Sequence, residues 1–275
     1  MKKYLSNNKY SPIMISVPHA GTFYPKEFIK NKVIKLDELT DMEDFKCHKI
    51  IEKLDKNLVD IIVADCSRSV IDLNRSRDSI DEDMFIDKFL HKKSSETLMI
   101  NSGLGVIPKK FNNKFIFSEK LPKVYADNLL KKYYDPYHNT LFNNLKAIKN
   151  KFGFAILIDL HSMPSDVLNN KEKQTDIIIG DNFGKSCSKN IRNFVFNHFE
   201  KNNYLVKLNA PYAGGYITRT YGKKLLGFHA IQIEINKNLY LDEKSLKIKK
   251  NLESLQNIFS DLIYKFIEIK NVAAE

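Results

Sequence analysis

The stretch FAILIDL (Phe154–Leu160), followed at once by His161, Ser162 and Met163, decides the fold. It is too short for a stable helix, and its aliphatic run reads as a strand buried on both faces. Five more runs have the same character: PIMISV (Pro12–Val17), VDIIVA (Val59–Ala64), TDIII (Thr175–Ile179), YLVKL (Tyr204–Leu208) and AIQIEI (Ala230–Ile235). A short strand is also expected at Ser69–Leu73. Helical spacing of apolar residues appears over Leu39–Leu54, Val124–Ile148, Phe183–Phe199 and Ser245–Ile269. In the last of these, Leu246, Ile248, Leu252, Leu255, Ile258, Leu262 and Phe266 share broadly one face. Strands alternating with long helices predict an α/β fold, a three-layer sandwich with a mixed, largely parallel sheet.

A chain of 275 residues with 43% hydrophobic and 28% charged residues can bury a full core without disulfides or a structural metal. There is no Pro/Gly/Ser-rich linker and no internal repeat, so residues 1–275 are expected to form one catalytic domain. The irregular segment Asp78–Lys120, with Gly103, Gly105 and Pro108, reads as an excursion near the site. No apolar run reaches membrane-spanning length, and MKKYLSNNKYSP lacks the apolar core of a secretory signal. Cys47, Cys66 and Cys187 are far apart and form no CxxC pair, which suits free thiols in a cytoplasmic protein. The formal charge of +11 raises the prospect of an anionic partner, nucleic acid or an acidic small molecule. The excess is nearly all Lys, in a chain also rich in Asn and Ile, and a drift of base composition alone would produce that skew.

Ligands in open α/β sheets gather beyond the carboxyl ends of strands. Polar residues collect there: His19 after PIMISV, His161 after FAILIDL, Glu234 and Asn236 in and after AIQIEI, and Asn74, Arg75 and Arg77 after Ser69–Leu73. Two histidines that each end an apolar strand suit a divalent metal, whose third ligand would be a carboxylate or another His. Asp44 is the candidate, four residues before His48 and on the same face of a helix. Acids of a first helical turn, which favour the helix dipole, remain the alternative. Asp159 lies two residues before His161 on the same sheet face. It either orients that imidazole or makes a structural hydrogen bond. Glu234 points away from Ile233 and Ile235; it is either a general base or half of a salt bridge, with Lys237 as a partner. Arg75 and Arg77 offer the two-pronged geometry that suits carboxylates, a surface charge cluster being the other reading. The stretch Asn209–Tyr216 lacks the phosphate-binding glycine patterns and reads as a substrate-covering loop, with Arg219 behind it.

Taken in order, SVPHAGTFYP (Ser16–Pro25), DLNR (Asp72–Arg75), YDPYHNTL (Tyr134–Leu141), IDLHSMP (Ile158–Pro164), APYAGGYITRTYG (Ala210–Gly222) and FHAIQIEINKNLYLDE (Phe228–Glu243) resemble the N-formylglutamate amidohydrolase family. The resemblance covers most of the chain. It implies a phosphorylase/hydrolase-like fold related to the zinc carboxypeptidases. It implies Zn2+ or another divalent metal held by His19, Asp44 and His161. It further implies Glu234 as base and Asn74 and Arg75 as contacts to the substrate carboxylate; beside them, Arg77 and Arg219 are expected to help clamp the substrate carboxylates. His48, Asp159, His138 and His229 are left as supporting or unassigned residues. Where the family usually has Arg after EIN this chain has Lys237, and where it often has a second Asp this chain has His48.

The expected activity is hydrolysis of N-formyl-L-glutamate, or a similar small N-acyl acidic amino acid, to formate and the free amino acid, as in histidine degradation. The expected partner is that small anion, with neither nucleic acid nor membrane; oligomeric state is not legible. A deacylase of aspartoacylase or carboxypeptidase type is the second reading. A basic nucleic-acid-binding protein is the third, and it would call for clustered cations with interleaved aromatics. The lysines are instead scattered along helices.

Overall fold

The computed structural model describes residues 1–5, 10–89, 96–168 and 175–268. Ile269, the expected end of the last helix, and residues 90–95 of the Asp78–Lys120 segment lie outside the described residues.

A seven-stranded sheet runs in the order β1 (Lys2–Tyr4), β3 (Asp60–Val63), β2 (Ile13–Val17), β6 (Ala155–Met163), β9 (Phe228–Asn236), β7 (Ile177–Gly180) and β8 (Val206–Leu208). β6 is parallel to β2 and β9, and β7 is parallel to β8 but antiparallel to β9. The sheet is therefore mixed and largely parallel, as the alternating pattern predicts, and the fold is an α/β sandwich. Every residue of β6 is buried, which explains why FAILIDL shows no apolar/polar alternation. Two small hairpins stand apart from this sheet, one of β4 (Lys110–Phe111) and β5 (Lys114–Phe115), the other of β10 (Leu241–Asp242) and β11 (Lys247–Ile248).

The chain divides into two compact units. The first comprises Met1–Lys2, Pro18–Phe45 and Val63–Leu141. It holds the short helices α1 (Lys26–Asn31), α2 (Leu36–Leu39), α3 (Thr97–Asn101) and α4 (Lys123–Leu129). Its aromatic core sets Phe28 edge-on to Phe117, which meets Tyr125 in turn. The second unit comprises Lys3–Val17, Lys46–Ile62 and Phe142–Glu275, and holds most of the sheet. Helix α5 (Asp135–Phe152) continues from α4 through a π turn at Leu130–Tyr134, so the helix expected over Val124–Ile148 is present with one wide turn. In the second unit, helices α6 (Lys189–Lys201) and α8 (Leu252–Glu268) meet through the ring pairs Phe194–Phe266 and Phe199–Phe259. Helix α7 (Tyr216–Tyr221) follows the glycine loop.

Four expected elements differ. Leu39–Leu54 is not one helix: α2 ends at Leu39, and separate 3-10 turns cover Thr40–Met42 and Cys47–Ile51. Lys46 between them has φ +59°, and Asp44 N–H donates to His19 O at 3.0 Å, a bond that takes this backbone out of any helix. Ser69–Leu73 is not a strand. Val70 and Ile71 N–H both turn back to Ser67 O, and the Ser67 and Ser69 hydroxyls bond each other at 2.9 Å. The last helix begins at Leu252, because Asp242 caps a turn onto Ser245 and Lys247–Ile248 pairs in a hairpin. Leu246 and Ile248 are thus off its apolar face, which is formed by Leu255, Phe259, Leu262, Ile263 and Phe266. Helix α6 starts at Lys189 rather than Phe183, since Asn182 and Phe183 adopt positive φ and Ser188 caps the helix by accepting from Ile191 N–H.

Candidate active site

In the second unit, parallel pairing of β6 with β9 sets Asp159 opposite Gln232 and His161 opposite Glu234. Residues two apart on a strand share a face, so these four polar side chains point from one face of an otherwise aliphatic sheet. All are buried, Glu234 being 7% exposed. Asp159 Oδ2 lies 3.1 Å from His161 Nε2, and Asp159 Oδ1 accepts from the Ser16 hydroxyl at 3.0 Å. The carboxylate is thus bonded to β2 on one side and faces the imidazole on the other. Glu234 Oε1 accepts from Gln232 Nε2 at 2.7 Å.

In the first unit, His19 follows β2 by two residues. Its loop lies tightly against Asp65 and Cys66: a Cβ at Gly21 would sit 2.3 Å from Cys66 O, so only glycine fits there. His19 Nε2 donates to Asp72 Oδ1 at 2.7 Å, which places the proton on Nε2 and turns Nδ1 toward Asp44 Oδ2, 3.7 Å away. Asp72 also accepts from Arg68 Nη2 at 2.9 Å and from Asn74 N–H at 2.8 Å. Burial alone would raise the Asp72 carboxyl, but His19, Arg68 and Arg75 together hold it well below the usual carboxylate range. Beside Asp44, the fully buried Glu43 accepts from the Tyr24 hydroxyl at 2.6 Å; burial first, and then Glu43, push that phenol upward.

His19, Asp44 and His161, all buried, form a group whose candidate ligand atoms lie within 4.8 Å of one another, a set that could hold a metal ion. Two imidazoles and a carboxylate, with each imidazole's Nε2 facing an aspartate, match the donor chemistry of a catalytic zinc site. Asp44 reaches its place by the bond from its N–H to His19 O, not by the helix spacing that nominated it. His48 lies in the 3-10 turn Cys47–Ile51, so it shares no helix face with Asp44.

The remaining candidates sort by their contacts. Asn74 is buried. Arg75 donates from Nε to Leu104 O at 2.9 Å and from Nη1 to Asn74 O at 3.1 Å. Arg77 forks onto Asp135, at 2.8 and 3.1 Å. His138 Nε2 lies 2.9 Å from Leu73 O, with its ring tilted on Tyr134, and so props the Asp72–Arg75 turn. Arg219 is exposed on α7, and its Nη1 donates to Gly214 O at 3.1 Å. His229 sits at the opposite end of β9 from Glu234, accepting from Ser188 N–H at 3.3 Å. Sequence reasoning passed over Asp72 and Gln232 as functional groups. Asp72 stood in the quoted DLNR, and Gln232 stood on the polar face of AIQIEI; each needed a partner distant in sequence to be recognised.

A buried acid–histidine cluster at the carboxyl ends of parallel strands, in an α/β sandwich, is the framework of a hydrolase acting on an amide, and the comparisons with known proteins agree. A family model described as N-formylglutamate amidohydrolase matches residues 11–241. The N-formylglutamate deformylase of Pseudomonas aeruginosa is 28% identical over 239 residues, covering 85% of this chain and 84% of its own. That of Pseudomonas putida is 29% identical over 237 residues, covering 84% and 82%. The crystal structure of an N-formylglutamate amidohydrolase from Ralstonia eutropha JMP134 superposes with a TM-score of 0.90 at 25% identity, covering 97% of this chain and 96% of that one. The chain belongs to the N-formylglutamate amidohydrolase family. Among the described residues, no helix is long and apolar enough to cross a membrane.

Proposed function

We propose that this chain is a metal-dependent, cytoplasmic amidohydrolase that uses water to cleave N-formyl-L-glutamate to formate and L-glutamate, a step of histidine breakdown. Residues 1–275 would act as one catalytic module, with no nucleic acid or membrane as partner. His19, Asp44 and His161 would hold the ion, zinc by the character of the donor set. When bound, such an ion supplies Lewis acidity, lowering the pKa of a water from about 15.7 to about 7.

The observation that carries this reading is the register of β6 and β9, which puts Glu234 directly opposite His161 on one sheet face. Glu234 takes the proton of the attacking water on its carboxylate and delivers it to the departing amine nitrogen. Asp72 and Asp159 fix the tautomers and ring planes of His19 and His161. Asn74, Arg75 and Arg219 orient the substrate carboxylates over these groups. Arg77, with its fork already filled by Asp135, serves by holding the Asp72–Asp78 turn in place.

The test is formate release from N-formyl-L-glutamate by metal-loaded protein, alongside N-acetyl-L-glutamate and N-formyl-L-methionine. Turnover selective for the formyl dicarboxylate and abolished by chelator is expected. Turnover indifferent to chelator would overturn the metal dependence; none on any N-formyl amino acid would overturn the substrate class.

A further inference from the structure

Gln232 is 4% exposed and shares its sheet face with Glu234. Its Nε2 donates to Glu234 Oε1 at 2.7 Å while its Oε1 accepts from the backbone N–H of Gly215 at 2.6 Å. A carboxylate at one end and an N–H at the other admit one orientation of the amide, because the flipped form would set oxygen against oxygen and donor against donor. The bridge needs a donor and an acceptor on one side chain of this length, which glutamine supplies. An aliphatic residue supplies neither, and an ionised glutamate supplies no donor.

The other end of the bridge is built with equal economy of space. Gly180 of β7 lies opposite Gln232, and a Cβ there would sit 2.7 Å from Ala213 C and Gly214 N. The loop backbone therefore rests directly on the strand, held by Asn182 N–H donating to Ala213 O at 2.7 Å. Gly214 takes φ +119°, which a side chain would oppose. These features deliver the Gly215 N–H to Gln232. The same loop anchors Arg219, whose N–H donates to Gly215 O at 3.1 Å and whose Nη1 donates to Gly214 O at 3.1 Å.

We propose that Gln232 is a positioning residue that aims the Glu234 carboxylate and ties it to the seated Ala213–Gly215 loop, so that the orientation of the base depends on where that loop sits. The inference rests on the reading of Glu234 as general base. Its consequence is that the loop carrying Arg219 influences proton transfer as well as substrate binding.

The test uses the metal-loaded full chain and Gln232→Met, which keeps length and volume but removes donor and acceptor. The expected result is a fall of about 10- to 100-fold in kcat for N-formyl-L-glutamate, with KM within about threefold and an unchanged folded spectrum. Amide hydrogen exchange over residues 213–216 should accelerate about tenfold or more. Gly180→Ala, which pushes the loop from its other side, should also lower kcat. Combined with Gln232→Met it should cost less than the product of the two single effects, because both break one linkage. If Gln232→Met does not fold, Gly180→Ala alone must lower kcat by about tenfold or more, whatever shift in KM follows from moving the Arg219 anchor. A kcat within twofold of wild type in Gln232→Met, unchanged exchange, or multiplicative effects in the double variant would each overturn the proposal while leaving the general-base reading intact. A wild-type protein inactive on every N-formyl amino acid would instead overturn that reading and this inference with it.

Discussion

Replacing Asp72 by Asn keeps the volume at the turn and removes one charge, and the hydrogen bonds show why that change should reach the proposed metal site. Asp72 Oδ1 accepts from His19 Nε2 at 2.7 Å and Oδ2 accepts from Arg68 Nη2 at 2.9 Å. An asparagine can satisfy one of these donors only by presenting its NH2 to the other. If NH2 faces Arg68, donor meets donor. If it faces His19, the ring must carry its proton on Nδ1, the atom turned toward Asp44. Either outcome weakens the site, and loss of an orienting acid typically costs about 10- to 100-fold in metal affinity, equivalent to about 1.4–2.8 kcal/mol. Arg68, 23% exposed, would lose a charge partner but stay partly hydrated, so the added cost in folding should be about 1–3 kcal/mol. Competitive titration of zinc against a chromogenic chelator reads the first quantity, and urea unfolding of the metal-free protein reads the second. Zinc affinity within twofold of wild type, in a protein that remains folded, would refute the assignment of the His19 tautomer to Asp72.

Glu234→Gln should lower kcat by about a hundredfold to ten-thousandfold while zinc affinity and unfolding midpoint hold steady; equal losses in all three would mean a structural role instead. Phe259→Ala removes a ring that is fully buried on α8 against Phe199, and should cost about 3–5 kcal/mol in urea unfolding. His229 is pushed down from 6.5 to about 4, first by burial and then by Lys224. The unfolded chain therefore takes up a proton here that the folded one refuses. This contribution is intact above about pH 6.5 and is lost as pH falls toward 4, up to about 3 kcal/mol in all. His229→Gln can still accept from Ser188 N–H and should show a shallower loss of stability between pH 6.5 and 4; parallel curves for the two proteins would contradict the shift.

The buried strands were legible because a run such as FAILIDL has few alternatives: too apolar for a loop, too short for a helix, and β-branched enough for a sheet. Their polar interruptions were legible for the same reason, since Asp159, His161 and Glu234 are costly inside such strands unless engaged. What failed was reading helix from periodicity alone. Leu39–Leu54 has the spacing, but backbone bonds to distant segments, Asp44 N–H to His19 O above all, outweigh a propensity worth only tenths of a kcal/mol per residue. The choice between Asp44 as ligand candidate and as a first-turn acid favouring a helix dipole therefore could not be made from spacing. Nor could Asp72 and Gln232 be recognised, because each acts through a group that sequence separation hides: His19 is 53 residues from Asp72, and Gly215 is 17 residues from Gln232.

The charge of +11 takes on a different meaning once its two components are separated. Lysine dominates the basic residues, and the lysine pairs at Lys49–Glu52, Lys53–Glu253 and Lys265–Asp261 lie at exposed positions, where such pairs contribute little to stability. The arginines are few and differently used. Arg68 meets Asp72, Arg75 meets the carbonyls of Asn74 and of the distant Leu104, Arg77 forks onto Asp135, Arg192 meets Asn193 and faces Asp181, and Arg219 meets Gly214 O. Each guanidinium stitches a loop or an adjoining helix end, and several use more than one donor, which a lysine ammonium cannot do with the same planar fixity. A nucleic-acid surface needs many interchangeable cations, whereas a small dicarboxylate needs a few fixed ones. These arginines are fixed one by one by protein partners, whereas the paired lysines named above lie on solvated faces, where their attraction for anions acts only from a distance.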